Sequence, residues 1–151
     1  MKNFFTPKVK EAVIKRINDL TPESKREWGV MSVTQMFCHL SDQIKLALGI
    51  RQSPLEGPAI FKTQLGIFLA LYVVPWKKGE SSPTVMDKDK KGTPSKGFDV
   101  DKAELINLLN QLFHSKEGSL HSHPFFGRFT KKQWGRMIAK HTNHHLRQFG
   151  V

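Results

Sequence analysis

Cysteine is almost absent from this 151-residue chain. Cys38 stands alone, so no intramolecular disulfide can form and nothing argues for secretion. Long apolar runs are missing too: the longest, Leu65 to Pro75, falls far short of the roughly 20 residues that span a bilayer. The opening Lys2-Asn3-Phe4-Phe5-Thr6-Pro7 lacks the apolar core and small-residue cleavage site of a signal peptide. The expectation is a cytoplasmic protein with no membrane span. There is no internal repeat and no convincing strand pattern. A nucleophile-elbow glycine pattern, a phosphate-cradling glycine loop and a second cysteine for a finger site are all lacking. Their absence counts against elbow-type hydrolases, nucleoside triphosphatases and zinc fingers. Acidic residues are few, 13 Asp+Glu against 24 Lys+Arg, for a net charge of +11. That balance favours anionic partners such as nucleic acid, an acidic metabolite or a membrane surface. The basic residues are dispersed and no groove-reading motif accompanies them, so a basic, solubilising surface is the simpler account.

What is present suits one domain over residues 1–151, with 38% hydrophobic and 25% charged residues. Thr6-Pro7 starts a helix, with a capping hydroxyl and proline at the first helical position. Val9, Ala12, Val13, Ile17 and Leu20 follow at mostly helical spacing. Thr21-Pro22-Glu23 restarts the chain as a short helix or turn up to Trp28-Gly29. Trp28 reads as a core anchor or a plug at a bundle end. Ser32-Val33-Thr34-Gln35 fits a capping box that opens a helix to about Leu48, stopped by Gly49. A third helix is expected from Pro58 to Val74, closed by Pro75. It is apolar nearly all round from Leu65 on, so it should be the most buried one. Pro75 to Phe98, with Lys88-Asp89-Lys90-Lys91, has no periodicity and is too long for an ordinary connection. It reads either as a mobile surface crossover or as a basic lid over a site. Asp99 or Asp101 caps a fourth helix through Phe113, closed by His114. Thr130-Lys131-Lys132-Gln133 repeats the capping box, with Phe129 and Trp134 placed as a hydrophobic staple, and opens a last helix to about Phe149. The sum is an all-α, four-helix bundle with a long crossover loop and short extra helices.

The histidines carry the chemistry. His141 and His145 are four apart, so on a helix they point within about 40° of each other, one turn apart. Two imidazoles so placed can grip one metal ion. Trp134, Met137, Ile138 and Gln148 share their face, which therefore reads as inward-facing. A third ligand must come from elsewhere. His39 is the best candidate, at the edge of an apolar stripe beside Gln35, Asp42 and Gln43, which can orient its second ring nitrogen. His121 and His123 are rivals for the same role. His144 turns about 60° from His141, away from His145, and reads as a supporting or surface residue. Three neutral imidazoles with an open position suit Zn²⁺, Ni²⁺ or another transition metal. Such a site activates water or holds a thiolate ionised. Asp42 is the carboxylate nearest in sequence to a ligand. It reads either as a general base or orienting group, or as a solvated helix-face aspartate. Cys38 diverges from His39 by about 100° and reads as a small core residue.

Taken together, Met31 to Asp42 (MSVTQMFCHLSD) and His123 to Gly150 (HPFFGRFTKKQWGRMIAKHTNHHLRQFG) resemble segments of the DinB/YfiT-like superfamily of bacterial metal-binding helical bundles. The similarity is closest to a branch in which HPFFG, a Trp-Gly pair and HHLRQFG recur. The resemblance implies a four-helix bundle with a crossover connection and a metal held by His39, His141 and His145, all three positions being filled here. It also implies that a homodimer is plausible. Characterised relatives include thiol-dependent transferases and isomerases, and others are described as metal-dependent hydrolases. The leading expectation is a metal-dependent enzyme on a small molecule, a thiol S-transferase or a hydrolase. The basic loop would suit an anionic low-molecular-weight thiol. The alternatives are a non-catalytic metal-binding bundle and a basic protein that binds nucleic acid through residues 75–98.

Overall fold

Both helices that meet at the histidines begin with a closed capping box. Ser32 Oγ accepts the Gln35 N–H at 3.2 Å while Gln35 Oε1 accepts the Ser32 N–H at 2.8 Å. Thr130 and Gln133 repeat the exchange at 3.2 and 2.8 Å. Each box satisfies amide donors that a helix start leaves free and fixes where the helix begins. The staple is formed as well: the Phe129 and Trp134 rings lie edge to face at 5.3 Å.

The computed structural model describes residues 2–79, 84–87 and 89–151 of the chain. Its elements are α1 (Pro7–Asn18), α2 (Val33–Ala47), a 3-10 turn (Ala59–Lys62), α3 (Gln64–Phe68), a π turn (Leu69–Val73), a 3-10 turn (Thr84–Met86), α4 (Phe98–Phe113) and α5 (Lys131–Gln148). Among the described residues there is no strand, only a single bridge between His123 and Gly127. The chain is an all-helical bundle. The α2 helix packs along α4 and crosses α5, and α1 lies against α5 and α4. Phe4, Ile17, Phe37, Leu40, Leu105 and Trp134 form the fully buried centre. The N-terminal segment crosses α5 closely: the Phe4 N–H bonds the Gly135 carbonyl at 2.9 Å. A Cβ on Gly135 would come within 2.2 Å of Asn3 Oδ1 and 2.6 Å of Phe5 Cδ2, so a larger residue there would have to push both side chains aside. Among the described residues no helix is long and apolar enough to cross a membrane.

One expectation is narrowed and two need correcting. Of the short helix or turn expected from Thr21 to Gly29, the chain forms turns: the Ser24 N–H bonds the Thr21 carbonyl at 3.0 Å and the Thr21 N–H bonds Ser24 Oγ at 2.9 Å. The cap of α4 is Gly97, at φ +116°, whereas Asp101 reaches back to the Lys96 N–H and the Ser95 hydroxyl. The largest difference is the third helix. It is not continuous and it is not the most buried. It breaks at Thr63, restarts on that residue's side-chain cap, and widens into the π turn, where the Val74 N–H reaches the Leu69 carbonyl. Gly66, Ile67 and Leu71 face inward, while Leu65 (62%), Phe68 (52%) and Val73 (56%) stand exposed. A short broken helix has only one side to pack against the bundle, so an apolar circumference leaves half of it in solvent. Gly66 makes the break possible: a Cβ there would strike the Ile60 carbonyl at 2.0 Å.

Candidate metal centre

Three imidazoles meet in the interior. The Nε2 atoms of His39 and His141 are 2.9 Å apart, and those of His145 and His141 are 3.0 Å apart. All three rings are buried, and their ligating nitrogens lie within 4.8 Å of one another. His39 comes from the middle of α2. His141 and His145 come from successive turns of α5, whose boxed starts fix the register in which the rings meet.

Each opposite nitrogen is tied down by a different acceptor. His39 Nδ1 faces the Met86 carbonyl at 2.9 Å. His141 Nδ1 faces Gln43 Oε1 at 2.8 Å. His145 Nδ1 faces Gln148 Oε1 at 3.0 Å, and Gln148 Nε2 donates to the Trp28 carbonyl at 2.8 Å, which fixes the amide's sense. A backbone carbonyl only accepts, so His39 must donate from Nδ1, and the glutamine oxygens ask the same of their partners. A neutral ring that donates from Nδ1 has a bare lone pair on Nε2. The lone pair of His141 then faces those of His39 and His145 at hydrogen-bond distance with no proton to share. A cation satisfies all three. Two nitrogens about 2.0–2.1 Å from one zinc ion at tetrahedral angles lie roughly 3.3 Å apart, so a few tenths of an ångström separate the His39–His141 and His141–His145 pairs from ligation spacing. Burial favours the neutral form that a metal requires. It is the chief cause holding His145 down to about 3, and it lowers His39 and sets His141 well below the usual histidine value. Three buried histidines within ligand distance can hold a metal ion.

The other expected residues sit elsewhere. Asp42 is not brought to the three nitrogens, and it is not solvated either. It is fully buried, with Arg51 Nη1 at 2.7 Å and Thr93 Oγ1 at 2.6 Å on one oxygen and the Thr93 N–H at 2.8 Å on the other. Arg51 also donates to Thr93 Oγ1 and to the Lys91 carbonyl. The Asp42–Arg51 pair therefore pins the crossover to α2. His121 lies exposed against Gly49 at the end of α2. His123 is buried among Phe126, Phe129 and Trp134, with Nδ1 accepting the Phe125 N–H at 3.1 Å, and burial pushes it down to about 3. His144 is half-buried, edge-on to Trp28 at 4.7 Å. His114 caps α4. Cys38 is buried, its thiol pushed up to about 12 by burial and by Asp101.

The crossover contributes more than passage. Met86 is buried and its carbonyl holds His39, while Trp76 packs against His141 at 5.5 Å. Residues 80–83 and Lys88, within the segment read as a surface crossover or a basic lid, lie outside the described residues. A cavity of about 770 Å³ opens from the histidines. Sequence reasoning placed the orienting groups on α2 beside His39. In the structure Gln35 serves the cap, Asp42 binds Arg51, and Gln43 turns to His141. The acceptor for His39 is a main-chain carbonyl, which no residue type announces.

Fold and site together define a class: a helical bundle with a three-histidine candidate metal centre facing a cavity. Residues 5–150 match the model of the DUF1569 family, described as a protein of unknown function, and the chain belongs to that family. No curated protein and no solved structure matches it.

Proposed function

We propose that this is a cytoplasmic metal-dependent enzyme acting on a small molecule in the cavity, as a hydrolase or a thiol S-transferase. One observation carries the reading: three Nε2 lone pairs converge on one point while every Nδ1 is held by an acceptor. The resemblance of the His39 and His141–His145 segments to DinB/YfiT-like bundles supports it. A zinc or nickel ion held by these rings supplies Lewis acidity at an open position, enough to activate water or keep a thiol ionised. The chain's own part is to fix and enclose. His39, His141 and His145 hold the ion. The Met86 carbonyl, Gln43 and Gln148 keep the rings aimed, since such outer partners set ring orientation and ligand basicity. Trp28 and Trp76 wall the histidines from bulk water. Asp42 acts at one remove, by anchoring the loop that carries Met86.

The test has two parts. Metal content of the purified protein is compared with that of His141→Ala; near-equal content removes the metal claim. Turnover of ester, amide and thiol probes is then measured with and without metal. Metal-dependent turnover is expected. Its absence in a metal-loaded protein would leave a non-catalytic metal-binding bundle.

A further inference from the structure

The apolar residues of the broken segment fall on two faces. Gly66, Ile67 and Leu71 are buried against the bundle. Leu65, Phe68, Leu69 and Val73 recur three and four apart on the other face and stand exposed, with Phe68 stacked on Tyr72 at 5.5 Å. Ile60 (53%) and Val74 (48%) carry the exposed surface on to the two ends of the segment. Contiguous apolar surface with a polar rim marks a docking site. The rim here is cationic. Lys62 lies within the segment and Lys77 and Lys78 follow it, all three exposed. From α5, Lys140 Nζ reaches the Ala70 and Val74 carbonyls, each at 2.6 Å, and Arg136 lies over the Tyr72 ring at 5.7 Å. No aspartate or glutamate occurs from Gly57 to Gly79, and the carboxylate of Glu56, just before, is taken up by Thr84.

Charge and polarity together decide what covers this face. A second copy of the chain would set these cations against their own kind, in a protein of net charge +11. A nucleic-acid duplex would meet the cations but leave the leucines and valines without apolar contact. An anionic bilayer answers both: its headgroups meet the lysines, while the acyl boundary takes Leu65, Phe68 and Val73. The same face borders the cavity, since Ile60, Leu69 and Val74 are exposed and also line it.

We infer that this face docks on an anionic lipid bilayer and sets the edge of the cavity against it. The chain lies on the membrane without crossing it: among the described residues no helix is long and apolar enough to span. The apolar residues enter the headgroup boundary, and the flanking lysines keep their charged ends among the phosphates. Docking uses no metal ligand, so it stands or falls apart from the metal reading above.

The test is co-flotation of the full chain with vesicles of phosphatidylcholine alone or of phosphatidylcholine and phosphatidylserine, about two to one. The chain should bind the phosphatidylserine vesicles at least about tenfold more tightly, given roughly fivefold per lysine or arginine near the surface. Leu65→Ser combined with Phe68→Ser should weaken that binding by about tenfold or more, since two exposed apolar side chains lose their lipid contact. Lys77→Gln combined with Lys78→Gln should weaken it by on the order of tenfold, and on the anionic vesicles only. All four substitutions fall on exposed side chains, and circular dichroism checks that each variant keeps its helices. No binding to the phosphatidylserine vesicles overturns the inference. Undiminished binding by the Leu65→Ser, Phe68→Ser variant also overturns it, because the overall basic charge would then suffice. A wild-type dimer in sedimentation that this variant breaks into monomers would show that a second copy covers the face, and overturns it as well.

Discussion

The two sides of the cavity are built on opposite terms. On one side, α2 and α5 are long and start at closed capping boxes. They bury nearly every residue that faces inward, including three histidines, two glutamines and an aspartate. On the other side, residues 59–74 are as apolar as any in the chain. Yet they break at Thr63, widen into a π turn and leave Leu65, Phe68 and Val73 in solvent. Their freed carbonyls are met by cations of α5: Arg136 Nε donates to Leu71, and Lys140 Nζ to Ala70 and Val74. The difference teaches where precision is invested. Ligands that share an ion need rings held to within a fraction of an ångström. A wall that meets the body of a small molecule needs apolar surface and some latitude, and short, half-exposed elements open most readily.

Substitutions at the ligands should show the largest effect. His141→Ala or His39→Ala should weaken zinc binding by on the order of 10³-fold or more, given the roughly 10–16 kcal/mol carried by closed zinc sites. Competition with a chromophoric chelator measures it. Retention of wild-type affinity would erase the contrast between the two sides. Asp42→Ala comes next. It removes the acceptor for Arg51 and the Thr93 N–H in a buried pair, and should cost about 3 kcal/mol in urea unfolding.

His123 offers a pH handle on the rigid side, packed 5.5 Å from Trp134. Its folded value of about 3 lies below the ordinary 6.5, so the unfolded chain binds the extra proton between those pH values. Its stabilising contribution is therefore full above about pH 6.5 and shrinks as pH falls toward 3. The loss approaches about 1.4 kcal/mol per pH unit for this one group. In metal-free protein between pH 6.5 and 5, His123→Phe should show a flatter stability curve than wild type. An identical slope would place the titration elsewhere.

Gln148→Leu should leave the fold intact and weaken metal binding by about 10–100-fold, the usual effect of losing an outer partner. Wild-type affinity in that variant would mean that His145 needs no orienting acceptor. The smallest effect belongs to the opposite wall. Leu65→Ser should change stability by no more than about 0.5 kcal/mol, because that side chain already stands in solvent. A larger loss would show that the exposed face is covered in solution.

The rigid side was legible in the sequence and the other was not, for a physical reason. Capping boxes at Ser32 and Thr130, the Phe129–Trp134 staple and the His141–His145 spacing are local signals, and local geometry carried them into the fold. His39 was legible because it stood at the edge of an apolar stripe on a helix that had to pack nearby. The segment from Pro58 to Val74 misled because an apolar circumference tells nothing about how many neighbours the bundle provides. Gly66 was the residue that marked its break. Gln148 was visible on the ligand face, but its tie to the Trp28 carbonyl depends on a turn 120 residues away. The Met86 carbonyl left no trace, since a main-chain acceptor has no residue identity and Pro75 to Phe98 has no periodicity to place it.

X-ray absorption at the zinc edge of the metal-loaded protein tests the central claim most directly. The account predicts three imidazole nitrogens at about 2.0–2.1 Å and one further light atom from an exchangeable ligand. A first shell of oxygen alone, without the outer-shell scattering of imidazole rings, would contradict it.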